Sequence, residues 1–367
     1  MNRATVVGFE QTKASWPHPV QSRLSSKLPI EPSTEPLATS SLTGAILGGR
    51  YRVKSLLGEG GMGRVYLAED TLAEHPFPIV VKVLLDKYAN NKDVAKYFSR
   101  EPEIISAINH PNIVRVMGSG LTEEGVPYFV MEHLDGISLD HKLANNNTLP
   151  IQEAMHIAMQ ICDAIHAAHI KGIIHRDLKP ENIFLLDIPY LNFVKIIDFG
   201  IARIMKRRTV FTPKILREDK AQGTPAYMAP EQAQGYIDRR TDIYGLGVML
   251  YEMLCGATPF LVNESNPAAV IELINMHLSS TPIAPHERNP EIPIDISDLI
   301  MRALAKKPED RYSSAAEMKA ALEACLNPLE VPAVETAPMA EPAQEQLQLD
   351  ILSKAVAFAR QCISAIF

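Results

Sequence analysis

Apolar and polar positions divide this chain into stretches of different period. Short β-branched runs recur at residues 51–56, 64–69, 79–84, 113–120 and 128–131. One stretch of helical spacing, 94–108, interrupts them. That pattern predicts a small sheet-based lobe with a single helix. Further along, apolar residues repeat at helical spacing over 151–168, 242–254, 268–277, 296–305 and 314–326. These predict a larger, mainly helical second lobe. The expected class is therefore α+β, with a folded unit over 49–326 divided near residue 134.

The flanks differ in composition. Residues 1–48 are rich in Ser, Thr and Pro with no clear period, and so little apolar surface predicts a disordered leader. Glu10, Glu31 and Glu35 count against a transit peptide. Residues 327–345 carry Pro328, Pro332, Pro338 and Pro342 among Ala and Glu, a linker composition. Over 346–367, Leu349, Leu352, Val356, Ala359, Ile363 and Ile366 fall on one helical stripe. Lys354 and Arg360 argue against a spanning helix. This segment is expected to dock on the folded body or on a partner, with a membrane-surface helix as the alternative.

Composition narrows the function classes. A net charge of −7 speaks against nucleic acid as the partner of the whole protein. No uncharged apolar run reaches the roughly 18 residues of a membrane span, and residues 1–20 hold no secretory signal. The four cysteines form no CxxC pair, which fits a reducing, cytoplasmic setting.

Three clusters carry chemistry. The first is Leu57-Gly58-Glu59-Gly60-Gly61-Met62-Gly63-Arg64-Val65, between two predicted strands. Backbone without side chains can close over phosphates and donate N–H groups to them. In the second, Lys82 follows Ile79-Val80-Val81 on the next predicted strand, and Glu101 lies on the predicted helix. Glu101, Ile105 and Ile108 share one face at i, i+4 and i+7, so Glu101 is expected to point to the core and Glu103 to water. Pro102 implies a late or kinked helix.

The third cluster is His175-Arg176-Asp177-Leu178-Lys179-Pro180-Glu181-Asn182, followed by Asp198-Phe199-Gly200 after a strand-like run. The set suits phosphoryl transfer, in which a protein mainly positions groups and neutralises charge. Asp177 would orient a hydroxyl and accept its proton. Asn182 and Asp198 offer oxygen donors for Mg²⁺, and Lys179 would offset charge on the group in transfer.

Together with Ala229-Pro230-Glu231, Asp242 and Arg311, these clusters resemble the eukaryotic-type (Hanks) serine/threonine protein kinases, in particular their bacterial branch. The resemblance runs from about Tyr51 to Leu326. It implies a bilobal fold, with a five-stranded antiparallel N-lobe carrying one helix and a helical C-lobe, and ATP and Mg²⁺ in the cleft. It further implies Met131 as gatekeeper, a hinge from Glu132 to Leu134, a buried Glu231–Arg311 ion pair, and a Thr224 hydroxyl bonded to Asp177 and Lys179. Two positions depart from the family habit: Val80 replaces the usual Ala and Phe184 the usual Leu, adding bulk on both sides of the adenine slot.

Lys179 and Thr224 match the pattern of enzymes that act on serine and threonine of proteins. Arg176 before Asp177 suggests control by a phosphate, with Thr209 and Thr212 as autophosphorylation candidates. The basic residues around them either hold that phosphate, dock an acidic substrate, or form a solvated loop. Competing readings are a pseudokinase, which requires loss of Lys82, Asp177 or Asp198; a small-molecule kinase of related fold; and a scaffold recruited through its flanks.

Overall fold

The computed structural model describes residues 42–188, 191–199, 225–263, 266 and 268–326. The small lobe is an antiparallel sheet of β1 (Ile46–Leu47), β2 (Tyr51–Glu59), β3 (Gly63–Asp70), β4 (Pro78–Leu84), β5 (Val116–Leu121) and β6 (Pro127–Glu132). Its spatial order is β1-β2-β3-β4-β6-β5. Along β4, alternation sends Val80 and Leu84 to the main core, and Ile79, Val81 and Val83 to a second apolar cluster on the opposite face. Lys82 therefore leaves the strand on the main-core side, toward the helix.

The sheet has six strands, not five, and the extra strand lies in the stretch assigned to the leader. Leu47 pairs with Tyr51 and buries itself beside Tyr128, with Leu42 packed on the same cluster. Two apolar residues among turn-forming glycines give too short a pattern for periodicity to register.

Helix α1 (Asp86–Ala89) leads into α2 (Lys92–Ile108). The Asn91 side chain accepts from the Asp93 and Val94 amides and caps α2. Contrary to the expected late start, α2 begins at Lys92 and runs through Pro102. Proline forfeits one backbone bond there, but Phe98, Glu101, Pro102, Ile105 and Ile108 all gain burial on the core face. Glu103 is exposed, as its spacing implied.

The large lobe begins with a sheet of β7 (Gly136–Ser138), β8 (Ile183–Ile188) and β9 (Leu191–Ile196), of which only β9, before Asp198, showed as a strand-like run. Around it stand α3 (Leu139–Asn146), α4 (Ile151–Ile170), α5 (Pro230–Ala233), α6 (Arg240–Cys255), α7 (Ala269–Ser279), α8 (Pro285–Arg288), α9 (Ile294–Ala303) and α10 (Ala315–Leu326). Helix α6 is buried along its whole length from Thr241 to Leu254. A helix apolar on all sides belongs at the centre of a core, and α4 and α9 pack directly on it. At Gly247 an added Cβ would meet Ala303 Cβ at 2.8 Å, so this crossing of α6 and α9 requires glycine.

The segment after α2 joins the lobes. Ile113 and Val114, predicted as strand, lie beside β9: Val114 N–H donates to the Ile196 carbonyl (2.9 Å) and Ile196 N–H to the Asn112 carbonyl (2.8 Å), while the Arg115 carbonyl accepts from Glu132 of β6 (3.0 Å). Asn112 Nδ2 also donates to the Val194 carbonyl at 2.8 Å and to Gln160 Oε1 at 3.0 Å.

Candidate active site

The glycine hairpin connects β2 to β3. Gly60 N–H donates to the Gly63 carbonyl at 2.9 Å and closes the turn. Added Cβ atoms at Gly58 and Gly60 would meet nothing nearer than 3.8 Å, but at Gly63 one would lie 2.9 Å from the Val83 carbonyl and 3.1 Å from Lys82 Cγ. The first two glycines thus leave open space, whereas Gly63 lets the hairpin lie directly on the lysine-bearing strand. Leu57 and Glu59 are exposed, and Met62 and Val65 pack against the main core.

Beneath the hairpin, Lys82 Nζ pairs closely with Asp198 and lies 3.7 Å from Glu101 Oε1. Burial alone would depress this lysine, but the two carboxylates more than offset it and hold the ammonium well above the usual range. Burial pushes Glu101 up to about 7 despite the opposing Lys82 charge, with Asp198 adding to the rise. Strand alternation on β4 and helix spacing on α2 bring Lys82 and Glu101 together. Asp198 arrives from β9 with φ +53°, a left-handed conformation uncommon outside glycine.

The second group stands on the loop between α4 and β8. Lys179 Nζ lies 3.7 Å from Asp177 Oδ2. Asn182 Nδ2 donates to the Asp177 carbonyl at 2.8 Å, and its Oδ1 is the side chain's acceptor. Ile197 N–H donates to the Asn182 carbonyl at 2.9 Å and places Asn182 beside the Asp198 segment. Asn182 Oδ1 and the part-exposed Asp198 carboxylate are both oxygen donors, the type suited to a hard cation that brings phosphate ligands of its own. Among the described residues no three acidic, His or Cys side chains gather to hold a metal unaided.

Asp242, on α6, organises this loop from behind. Its Oδ2 accepts the His175 amide at 2.8 Å, its Oδ1 the Arg176 amide at 2.7 Å, and His169 Nε2 contacts Oδ2 at 2.7 Å. Burial would raise this carboxyl, but hydrogen bonding and charge from His169, with the backbone donors, outweigh it and hold the group below the ordinary range. Arg176 has φ +69°, a second left-handed residue. The His175 ring packs at 4.7 Å from the buried Phe199 ring, tying the loop to the segment that carries Asp198.

Val80 and Met131 are buried register partners on β4 and β6, and Phe184 is half-buried on β8. Glu132 opens the link to the second lobe. Its Oε1 accepts from Lys195 Nζ at 2.6 Å and from the Arg115 amide at 2.7 Å. Leu134 packs partly buried on the main core. Away from the cleft, Arg311 donates to both Glu231 oxygens at 2.7 Å and to the carbonyls of Ala305, Arg240 and Lys306. All five guanidinium N–H groups are thereby used in a fully buried pair.

The structure thus assembles Lys82, Glu101 and Asp198 in one group, Asp177, Lys179 and Asn182 in a second, and sets Glu231, Asp242 and Arg311 behind them. Thr209, Thr212, Thr224 and Gly200 lie outside the described residues, as do 1–41 and 327–367. No motif or spacing pointed to His169 or Lys195, each a single polar residue whose partner is distant in the chain. A pairing of that kind becomes visible only after folding.

Comparison with known proteins agrees with this geometry. The family model described as Protein kinase domain matches residues 51–323. A probable serine/threonine-protein kinase of Clostridium perfringens is 38% identical over 283 residues, covering 77% of this chain and 39% of that protein. PrkC of Bacillus subtilis is 34% identical (76% and 41% covered), and PknB of Mycobacterium leprae 38% (75% and 43%). The chain thus spans about two fifths of the length of these curated relatives. Among solved structures, the kinase domain of Mycobacterium tuberculosis PknI aligns with a TM-score of 0.59 at 27% identity, covering 78% of this chain and 98% of that one. Fold, order of motifs and a match across most of its length make this chain a member of the protein kinase family.

Proposed function

We propose that this protein is a serine/threonine protein kinase that transfers the γ-phosphoryl group of ATP, with Mg²⁺, to hydroxyls of protein substrates. The observation that carries the reading is Lys82, buried between Glu101 and Asp198, with Ile197 beside Asp198 bonded to Asn182 of the loop that carries Asp177. In this reading Lys82 binds the α- and β-phosphates and Glu101 holds it in place. Asp198 and Asn182 would hold Mg²⁺, which would supply positive charge against the phosphates. Asp177 orients the acceptor hydroxyl and takes its proton, and Lys179 balances charge on the phosphoryl group. The segment from Glu132 to Leu134 bonds the adenine, between Val80 above and Phe184 below.

Thr224 completes the acceptor side, with Thr209 or Thr212 as the autophosphorylated residue that Arg176 reads. The reducing setting suggested by the cysteines is cytoplasmic, and residues 346–367 dock on the kinase body or on a partner. Among the described residues no helix is long and apolar enough to cross a membrane.

The test is phosphate transfer from labelled ATP to a generic basic protein with Mg²⁺, comparing wild type with Asp177→Asn. Label on Ser or Thr with wild type alone is expected. Nucleotide binding without transfer by either would instead indicate a pseudokinase.

A further inference from the structure

The glycine hairpin is fastened to the rest of the small lobe by contacts that the phosphate-binding role does not require. The carbonyl of Met62, at its tip, accepts the Leu85 amide at 2.9 Å, just beyond the end of β4. Arg64 sits in register with Glu59 across the hairpin, and its Nε donates to Glu59 Oε2 at 3.0 Å. The other arm of the same guanidinium donates to Asp86 Oδ2, also at 3.0 Å. One planar fork therefore links both strands of the hairpin to the first residue of α1, a geometry that lysine could not reproduce. The Arg64 side chain is only 18% exposed, so the fork lies against the lobe. Helix α1 leads directly into α2, which carries Glu101, and β4 carries Lys82 three residues before Leu85.

We propose that Arg64, through Asp86, is a positioning residue for phosphoryl transfer: it clasps the glycine hairpin to the entry of α1 and α2, so that the phosphate lid keeps register with Lys82 and Glu101. The inference rests on the kinase reading above and adds a regulating contact to the same site. A loose lid still closes on the nucleotide, but ordering it then opposes binding, so the clasp acts on nucleotide affinity more than on the chemical step. Asp86 is exposed and belongs to a short helix, so its substitution leaves the fold intact.

The experiment compares the wild-type chain with Arg64→Gln, Asp86→Asn, Asp86→Glu and the double variant Arg64→Gln/Asp86→Asn. It measures KM for ATP, kcat, Tm and hydrogen exchange at the Leu85 amide. For a part-exposed pair the expected rise in KM is about two- to fivefold in Asp86→Asn, with kcat and Tm little changed and recovery in Asp86→Glu. The double variant should be no worse than Arg64→Gln alone, because each removes the same contact. Leu85 exchange should accelerate in Arg64→Gln, whose substitution is remote in sequence from that amide. Unchanged KM, additive effects in the double variant, or a shift in Tm alone would overturn the proposal. A wild type unable to transfer phosphate would defeat the kinase reading instead, and Leu85 exchange in Arg64→Gln would then decide whether the clasp holds the hairpin.

Discussion

The carboxylate of Asp242 accepts the backbone amide of Arg176 at 2.7 Å, and Arg176 is one of the residues held in the left-handed region. A conformation that costs energy locally is maintained by a buried anion on the central helix. Asp242→Asn exchanges that anion for a neutral amide with one acceptor. We expect a loss of about 2–4 kcal/mol in denaturant unfolding and a fall in kcat larger than any change in KM. The folded carboxyl lies below its ordinary value of 3.8, so its stabilisation is complete above that value and is lost as pH falls through the lower folded one. Acid titration of stability in the variant should lack this contribution.

Glu101 predicts a pH effect of the opposite kind. Its folded value, about 7, lies above the ordinary carboxyl range. Ionisation therefore opposes folding as pH rises toward 7, while the ionised form is the one that holds Lys82. Activity (kcat/KM) should rise with pH through an acid limb near 7, and Glu101→Gln should have low activity without that limb.

The Glu231–Arg311 pair is buried and every guanidinium proton is used. Arg311→Met should cost about 3–5 kcal/mol, because it strands the Glu231 charge. Replacing both residues with apolar side chains of similar volume should cost less than Arg311→Met alone. Urea titration of the three variants checks this.

Val80 faces Met131 across β4 and β6. If its extra methyl groups crowd the adenine, Val80→Ala should lower KM for ATP by about three- to tenfold. An unchanged KM, measured with saturating protein substrate, would place the bulk away from the base.

Much of this arrangement was legible beforehand because it repeats a local rule. The strand-like run 79–84 placed Lys82 on β4, and i, i+4, i+7 spacing placed Glu101 on the face shared with Ile105 and Ile108. Pro102 misled, because its local penalty is outweighed by burial that only the folded lobe supplies. Residues 113–115 read as strand, yet the Val114 amide bonds to Ile196 of β9 in the other lobe, while the Arg115 carbonyl accepts from Glu132 of β6. The ladder of β7 and β8 was hidden because Gly136, Ile137 and Ser138 are too few to show a period. His169 carried no signal until α6 brought Asp242 beside it.

The meeting of Lys82 with two carboxylates also sets an admission rule for the cleft. One ammonium shared by Glu101 and Asp198 leaves this trio with a surplus of negative charge whenever Glu101 is ionised. A bare polyphosphate approaching it meets repulsion, whereas one already paired with a divalent cation does not. The trio thereby selects the charge state of its visitor before any bond is made or broken, and chelating the divalent ion should weaken nucleotide capture as well as turnover.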